Sequence, residues 1–333
     1  MARDWQQSGI GEERKRELTD EATQSSLSLV QVALNSASVS GSLRLYAELF
    51  GFENAGGSAA WGDVLAMQDL PVEAHCLVWW MVGKQPFFQL EIFHHGFPEQ
   101  RLLPADWKPS DHGWVRIGVA VSDFDRVVKA LARLGVPVIG ESGSAPKRRL
   151  AFRDPYAGII VETIEQPNSD GPSVTYATSS VADLDRARAF YAEVVGAEIR
   201  PLEELHAPED EALWGLAGAI REGFLACLPG GNLEIIRYTS PEGRMRRSDH
   251  RSSDQGMLNI ALGSRDPEAI RALIARIHAS GLATTHIVDT GTMCGTYVVE
   301  AGFEIEMLSI PPELDAALGF TPSASPFVND VGG

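Results

Sequence analysis

The sequence predicts an α+β fold of four βαβββ modules paired into two domains, each a curved mixed sheet that encloses a pocket and carries its helices outside. Three observations lead to this fold class. An apolar strand running into an amphipathic helix occurs four times, a glutamate inside a later strand-like run occurs four times, and the spacing between the two features alternates between long and short. Such a repeat indicates an internal duplication.

Each module begins with the strand and helix signal. The four segments are LVQVALNSASVSGSLRLYAELFGF, VRIGVAVSDFDRVVKALARLGV, VTYATSSVADLDRARAFYAEVVGA and LNIALGSRDPEAIRALIARIHASG. In the second helix, apolar side chains recur at the spacing of a core-facing stripe, namely at Phe124, Val127, Val128, Leu131 and Leu134. Gly135 follows directly, and glycine commonly ends a helix at this position.

A glutamate lies inside the last strand of each module. The four are Glu91 in FFQLEIF, Glu162 in AFRDPYAGIIVETIE, Glu234 in GNLEIIRY and Glu306 in GFEIEML. Side chains alternate between the two faces of a strand, and both faces around Glu162 are apolar. Because an isolated buried charge is strongly destabilising, each glutamate must be paired, bound to a metal or directed into a cavity.

The spacing of polar positions predicts how the modules are grouped. Aligning the first strands places Gln31, Arg116, Tyr176 and Asn259 at one common position. Their separations from the glutamate of the same module are 60, 46, 58 and 47 residues. The alternation predicts two domains, each with one long and one short module. Whether modules pair within the halves of the chain or across them stays open.

The predicted domain bounds follow from these modules. They are an N-terminal arm at 1–27, a first domain at 28–165 with modules 28–98 and 113–165, a second domain at 172–312 with modules 172–240 and 256–312, and a C-terminal tail at 313–333. The polar stretch EQPNSDGPS is typical of a linker between domains.

The composition of the chain argues against some classes of binding partner. The chain has 45 acidic and 28 basic residues among 333, a net charge of -17 that repels nucleic-acid phosphates and anionic membrane surfaces. The three cysteines are widely spaced and form no CxxC pair, which argues against a disulfide framework or a structural zinc site. We therefore expect a cytoplasmic protein, monomeric or homodimeric, whose partner is a small molecule rather than nucleic acid or membrane.

The repeated pattern resembles the vicinal oxygen chelate superfamily, which contains glyoxalase I, methylmalonyl-CoA epimerase, extradiol dioxygenases and bleomycin-resistance proteins. The resemblance covers residues 28–310. It is carried by VQVAL with SLRLYAELFGF, by VADLDRARAFYAEVVGA, and by FRDPYAG followed by Glu162. It implies that each βαβββ unit forms half of a curved sheet and that two units close around a pocket.

The resemblance also implies a metal site made from the first-strand residue and the last-strand glutamate of two paired modules. No histidine occupies a first-strand position here, so an iron(II) oxygenase site has little support. The candidate ligands are Gln31, Glu91, Glu162, Glu234 and Glu306. Arg116 cannot ligate a metal, but its guanidinium can take the place of the cation between carboxylates. The expected cofactor is therefore none or one divalent ion, with Fe, Mn, Zn and Mg all open.

The function that the resemblance implies is acid–base chemistry of the lyase, isomerase or epimerase type on an oxygenated, aromatic or cyclic metabolite. Glu91 or Glu162 is the predicted base, and Arg116 or Tyr176 is predicted to stabilise developing negative charge. The residues expected to bind substrate are Gln31, His94, Trp114 and Asn259. His94 and His95 are adjacent, so strand alternation turns only one of them inward.

The four glutamates and the basic run KRR also have other interpretations. The glutamates can instead be relics of an ancestral site, neutralised by hydrogen bonds or by Arg116. The whole protein can be a ligand-sequestering protein without catalysis, like the bleomycin-resistance members, or an extradiol-type dioxygenase. The basic run KRR at 147–149 can hold an anionic substrate group or form a solvated hairpin turn.

Overall fold

The computed structural model describes residues 27–298 and 304–324. Each of the four modules has the predicted βαβββ order. Residues 1–26 of the predicted N-terminal arm and residues 325–333 of the predicted tail lie outside the described part of the chain.

The first two modules contain eight strands, β1 to β8, and three helices. The first module comprises β1 (Ser28–Asn35), α1 (Val39–Phe50), β2 (Glu53–Trp61), the short helix α2 (Asp63–Ala66), β3 (His75–Val82) and β4 (Gln89–Phe97). The second comprises β5 (Gly113–Val121), α3 (Phe124–Leu134), β6 (Val138–Ser142), β7 (Arg149–Arg153) and β8 (Ile160–Glu165).

The last two modules repeat this order. The third comprises β9 (Ser173–Ser180), α4 (Leu184–Ala189) continued by a π-helical turn (Phe190–Val195), β10 (Glu198–Arg200), the 3-10 helices Leu202–Glu204 and Pro208–Trp214, β11 (Ile220–Leu228) and β12 (Gly231–Ser240). The fourth comprises β13 (Gly256–Ser264), α5 (Pro267–Ala279), β14 (Val288–Asp289), β15 (Cys294–Val298) and β16 (Ile305–Ser309), followed by the 3-10 helix Pro312–Leu314.

Helix α3 forms where the sequence predicts it and ends at the predicted glycine, but its buried face differs slightly from the predicted one. Asp123 accepts a hydrogen bond from the backbone of Arg126 and so caps the N-terminus. Gly135 ends the helix at φ 67°, in the left-handed region that glycine tolerates best. Val128 was expected in the core but is 39% exposed, and Ala130 is buried instead. The helix is therefore rotated slightly from the predicted stripe.

The strands form two sheets of eight. The first sheet has the order β14-β15-β16-β13-β1-β4-β3-β2, and the second has the order β10-β11-β12-β9-β5-β8-β7-β6. Strands β1 and β13 are antiparallel neighbours at the centre of the first sheet, as β5 and β9 are in the second. The first module therefore shares a sheet with the fourth, and the second with the third.

The sequence-defined domains 28–165 and 172–312 thus do not correspond to the two sheets, because the modules pair across the halves of the chain. Connector length explains the pairing. Only seven residues separate β8 from β9, enough to step over β5 within one sheet. The connectors 98–112 and 241–255 each have fifteen residues and carry the chain from one sheet to the other.

The helices pack together between the sheets, so one apolar core serves both. That core includes Leu34 and Leu90 of the first sheet with Ile117 and Ile235 of the second. The helices also contact one another through polar groups, since Arg126 of α3 donates to the Ala47 carbonyl of α1 at 3.0 Å. Within residues 27–298 and 304–324, none of the helices has the length and apolar composition needed to cross a bilayer.

Candidate functional site

In the structure, the four aligned first-strand residues and the four strand glutamates form two clusters, one on each sheet. The first cluster is Gln31, Glu91, Asn259 and Glu306, and the second cluster is Arg116, Glu162, Tyr176 and Glu234. The sequence grouped Gln31 and Glu91 with Arg116 and Glu162. The actual groups differ because the modules pair across the halves of the chain.

Strand register brings each cluster together. In the first sheet Ala33 lies beside Asn259 on one neighbouring strand and Glu91 on the other, and Ala261 lies beside Gln31 and Glu306 in the same way. The two alanines are small, so the four long polar side chains can converge over them.

The second sheet repeats the arrangement. Gly118 is registered with Tyr176 and Glu162, and Thr178 with Arg116 and Glu234. A methyl group at Gly118 would overlap the Tyr176 ring, so glycine provides the space that the tyrosine needs.

In the first cluster one amide nitrogen joins two carboxylates. Nε2 of Gln31 donates to Oε2 of Glu91 at 2.6 Å and to Oε2 of Glu306 at 2.9 Å. The indole of Trp80 donates to Oε1 of Glu91 at 2.9 Å, and Nδ2 of Asn259 lies 3.3 Å from Oε2 of Glu306. Glu91 is buried, whereas Glu306 is partly exposed. The two acids therefore share one hydrogen-bond network, and both are largely withdrawn from solvent.

Both carboxyl groups of the first cluster bind protons more tightly than usual. Burial raises the pKa of Glu91 well above its ordinary value, and the charge of Glu306 adds to the effect. Burial raises the pKa of Glu306 to about 7, against hydrogen bonds from Tyr297, Asn259 and Gln31 that favour the ionised form. The first cluster therefore holds its protons to a higher pH than solvated glutamates do.

The second cluster is a buried ionic network. Arg116 donates to Glu234 at 2.5 Å, and Nδ1 of His206 lies 2.6 Å from the same carboxylate. Arg149 donates to Glu162 at 2.5 Å, and the Tyr176 hydroxyl donates to Glu162 as well. These groups are fully buried except Arg149, of which 18% is exposed.

Ion pairing keeps both acids of the second cluster charged. Burial opposes ionisation of Glu162, but His206 and Arg149 outweigh it and lower the pKa to about 2. The pKa of Glu234 is lowered too, because His206 and Arg116 overcome its burial. Burial alone would lower the pKa of His206, yet the two carboxylates raise it. All of these groups therefore hold their charges in one another's presence.

Solved structures with the same architecture were found by comparison. A protein from Bacillus subtilis subsp. subtilis str. 168, provisionally named a dioxygenase, superposes with a TM-score of 0.60 at 13% identity, over 89% of this chain and 91% of that one. Glyoxalase I from Zea mays superposes with a TM-score of 0.56 at 13% identity, over 85% and 92%. This chain has the vicinal oxygen chelate fold. No protein-family model matches the sequence, and no curated protein matches it either.

Within the vicinal oxygen chelate fold, the first cluster occupies the first-strand and last-strand positions expected of a metal site. Oδ1 of Asn259 is buried without a hydrogen-bond partner among the described residues. Reversing the amide of Gln89 lets it donate to the carbonyls of Gly319 at 2.8 Å and Leu318 at 2.9 Å, but sets its oxygen 2.8 Å from Oε1 of Gln31. With Gln89 in that orientation, a reversed Gln31 would present its oxygen toward both carboxylates, an arrangement that only a cation or a shared proton between them would stabilise in place of the two Nε2 bonds.

The first cluster thus fits a divalent ion that prefers oxygen. Two carboxylates and two amide oxygens are a donor set for Mg²⁺, Mn²⁺ or Ca²⁺ rather than for metals that favour nitrogen or sulfur. The described part of the chain contains no group of three or more His, Cys, Asp or Glu side chains placed to hold a metal. Any ion would therefore depend on Gln31 and Asn259 as well as on the acids.

The second cluster does not fit a metal. Arg116, Arg149 and His206 already supply cationic groups to its two carboxylates. The guanidinium carbon of Arg116 also lies 3.3 Å from the centroid of the Trp214 ring. His206 and Trp214 come from the segment between β10 and β11, so the protein's own side chains fill this side of the sheet.

The segment after β16 packs against residues that flank the first cluster. The Phe320 ring lies 5.0 Å from the Phe87 ring, and Arg265 pairs with Asp315 at 2.9 Å. Gly319, at φ 77°, sits so close to Trp80 that an added methyl group would overlap the indole. This segment therefore supports the tryptophan that donates to Glu91.

The other predicted substrate-binding residues lie away from both clusters. His94 is half-buried with Nδ1 2.9 Å from the Ser36 carbonyl, and it is the neighbouring His95 that is buried, 3.2 Å from Gln68. Trp114 is buried and donates to the Glu304 carbonyl at 2.9 Å. Their predicted role in binding substrate stays a prediction.

The sequence reasoning did not find several residues that contact the clusters, among them Trp80, Arg149, His206 and Trp214. Arg149 belongs to the KRR run but lies on β7, registered two strands from β5, and pairs with Glu162 rather than with solvent. Its place directly before the apolar run LAF was the available signal. His206 and Trp214 lie in a segment that only the third module has. Alignment of the four modules therefore gives no equivalent positions from which these two residues could have been found.

Proposed function

We propose that the protein is a small-molecule enzyme in which the first cluster performs acid–base chemistry of the isomerase, epimerase or lyase type on an oxygenated metabolite. One observation carries the proposal: Glu306 is partly exposed, has a pKa of about 7, and is joined through Gln31 to a second carboxyl group. A base with a pKa near the working pH is well suited to proton transfer.

The proposed reaction removes a proton from carbon next to a carbonyl. Glu306 accepts the proton, and the electron pair of the C–H bond moves toward the carbonyl oxygen to give an enolate. Reprotonation at the same carbon gives an epimer. Where that carbon bears a hydroxyl, transfer of the hydroxyl proton to the enolate oxygen and reprotonation of the former carbonyl carbon give an isomer. Loss of a leaving group from the β-carbon gives a lyase product. A divalent ion held by Gln31, Glu91 and Asn259, with Glu306 free to take the proton, would stabilise the negative charge on the oxygen.

The other members of the first cluster position the acids. Trp80 holds Oε1 of Glu91 at 2.9 Å, and Gln31 holds Oε2 of both acids, so neither carboxyl group can rotate without losing a bond. Tyr297 also bonds to Glu306. We assign the second cluster a structural role, since Glu162 with a pKa of about 2 is a poor proton acceptor at neutral pH.

The proposal is tested by proton exchange. A panel of α-hydroxy ketones and other compounds with vicinal oxygens is incubated with the protein in D₂O, and loss of the α-proton signal is followed by NMR. We expect exchange with the wild type, at least a hundredfold loss with Glu306→Gln, and no loss with the control Glu73→Gln, which alters an exposed acid. Stoichiometric binding of a compound without exchange or conversion would instead identify a ligand-sequestering protein.

Metal dependence needs a separate measurement. The chelator-treated protein is titrated calorimetrically with Mg²⁺, Mn²⁺, Ca²⁺ and Zn²⁺. One equivalent of an oxygen-preferring ion should bind the wild type and the Glu162→Gln variant, provided that variant folds, but not Glu91→Gln. Equal binding by Glu91→Gln would place the ion elsewhere.

A further inference from the structure

Helix α2 and the turn that follows it pack on the face of the first sheet that carries the first cluster. Leu65 of this helix and Leu70 of the turn belong to the same apolar group as Trp80, the residue that donates to Glu91. Between the two leucines lies Gln68, a buried polar residue. A buried amide needs hydrogen-bond partners at both its oxygen and its nitrogen.

Both ends of the Gln68 amide are satisfied by buried side chains. Its Oε1 lies 3.2 Å from Nε2 of His95 on strand β4. Its amide nitrogen donates to the hydroxyl oxygen of Tyr297 on strand β15, and that hydroxyl donates in turn to Glu306. One line of hydrogen bonds therefore runs from His95 through Gln68 and Tyr297 to an acid of the first cluster.

The backbone joins the same two segments. The Thr285 hydroxyl donates to the carbonyl of Met67 at 2.6 Å and accepts from the backbone nitrogen of Tyr297 at 3.1 Å. Met67 directly precedes Gln68. The turn after α2 is therefore held to strand β15 at two points, which fixes the amide of Gln68 beside the tyrosine.

The direction of these bonds matters because a tyrosine hydroxyl has only one proton to donate. With the Gln68 nitrogen donating to the phenolic oxygen, that proton is directed to Glu306. A reversed amide would take the proton itself and leave Glu306 facing a lone pair. His95 prevents the reversal, because an N–H on its Nε2 requires the amide oxygen opposite it.

Two observations place the proton of His95 on Nε2. Burial, with a smaller contribution from the charge of His94, lowers the pKa of His95 to about 4, so the ring is neutral and carries one proton at neutral pH. Nδ1 of His95 is buried without a hydrogen-bond partner among the described residues. A proton on Nε2 makes a bond to Gln68, whereas a proton on Nδ1 would make none.

We propose that Gln68 is a positioning residue for proton transfer by Glu306, because it directs the Tyr297 hydroxyl toward that acid and so holds the carboxyl group in one orientation. This inference rests on the function proposed for the first cluster. Gln68 itself acts only through Tyr297. Since hydrogen bonds in a line polarise one another, the bond from His95 strengthens the two that follow it.

Nuclear magnetic resonance tests the orientation without a substrate. The ¹⁵N shifts of the wild type should place the proton of His95 on Nε2. The hydroxyl proton of Tyr297, assigned by its absence in Tyr297→Phe, should lie at low field and move to higher field in Gln68→Met. The control Gln166→Met, which alters an exposed glutamine, should leave it in place. A proton on Nδ1 of His95, or an unmoved hydroxyl signal in Gln68→Met, overturns the inference, and the wild-type result stands even if that variant fails to fold.

A double-mutant cycle tests the link to the reaction. With dihydroxyacetone as the probe in D₂O, Gln68→Met and Tyr297→Phe should each lower kcat for exchange of the α-protons about tenfold and leave KM unchanged. The double variant should be no slower than Tyr297→Phe, because Gln68 acts through the tyrosine. A slower double variant, or a loss that lies in KM, overturns the inference. Absence of exchange in the wild type would contradict the proposed function instead, and the hydroxyl signal then decides the orientation by itself.

Discussion

Gln31 on the first strand donates a hydrogen bond to Glu306 on the last strand at 2.9 Å, although 275 residues separate them in the chain. The same nitrogen bonds to Glu91, so one neutral amide holds two acids whose negative charges would otherwise repel. One shared proton, or one cation, relieves that repulsion. The chemistry of the first cluster therefore depends on which of the two is present.

Replacing Glu306 should change how stability depends on pH. Its pKa is about 7 in the folded protein and 4.5 ordinarily, so the folded state binds the proton more tightly. The stabilisation is present below pH 4.5 and is lost as pH rises through 7, by about 3 kcal/mol at most. Urea unfolding between pH 4.5 and 7.5 should show this loss in the wild type and a flatter dependence in Glu306→Gln. An unchanged slope in the variant would contradict the assignment.

Replacing Glu162 should destabilise the second sheet. Glu162→Gln leaves Arg149 and His206 without one of their counter-charges in a buried environment, which typically costs about 3–5 kcal/mol. Glu222→Gln is the matched control, because its ion pair with Arg237 is about half exposed. Chemical unfolding of both variants should show a much larger loss for Glu162→Gln. Equal losses would mean that the buried network contributes no more than a surface pair.

Acid below pH 4.5 should weaken the second sheet while leaving the first unchanged. The folded-state pKa of Glu162 is about 2, below its ordinary 4.5, so its contribution is present above pH 4.5 and is lost as pH falls toward 2. The protons on Glu306 and Glu91 stabilise the first sheet in that same range. Hydrogen exchange, corrected for intrinsic rates, should show β9 and β12 losing protection before β1 and β13 on acidification. The reverse order would contradict the pKa directions.

Gly319→Ala should disturb the first cluster from outside it. The added methyl group overlaps the Trp80 ring, and φ 77° is unfavourable for alanine. We expect Trp80 to shift away from Glu91, with a loss of stability and of proton exchange. Gly281→Ala is the control, since it has a similar φ of 84° but no atom within 4 Å of the added group. Equal effects of the two substitutions would show that backbone strain alone is responsible.

Asn259→Asp should strengthen cation binding by the first cluster. The change places a third carboxylate beside Glu306, and the affinity of oxygen sites for divalent ions rises with the number of charged ligands. Calorimetric titration with Mn²⁺ should show about tenfold tighter binding. Asn168→Asp adds the same charge in an exposed loop and should leave the affinity unchanged. No difference between the variants would indicate that Asn259 does not face the ion.

Much of the fold could be predicted from sequence because the modules are local. Each βαβββ unit is set by side-chain periodicity, caps and glycines within about 60 residues, and those signals located all four glutamates and their first-strand partners. Which modules share a sheet depends on contacts between β1 and β13, and no periodicity within a module records a neighbour more than 200 residues away. Connector length was the one local signal of this pairing.

The site was predictable in its residues but not in its chemistry. Glu91 and Glu162 occupy equivalent strand positions and have the same alternating apolar neighbours in sequence. Their protonation differs because Glu162 meets Arg149 and His206, while Glu91 meets Trp80 and another acid. These partners come from strands and loops outside the repeated motif, so the pattern that located both glutamates could not tell them apart.

Along the chain, the second and third modules, which share one sheet, lie between the first and fourth modules, which share the other. This order has a consequence for biosynthesis. A nascent chain that has emerged as far as residue 255 already holds every strand of the second sheet but only β1 to β4 of the first. The inner pair can close while the chain is still attached to the ribosome, whereas Gln31 and Glu91 must wait for the final strand. Until then β1 is an uncovered edge at which aggregation can begin.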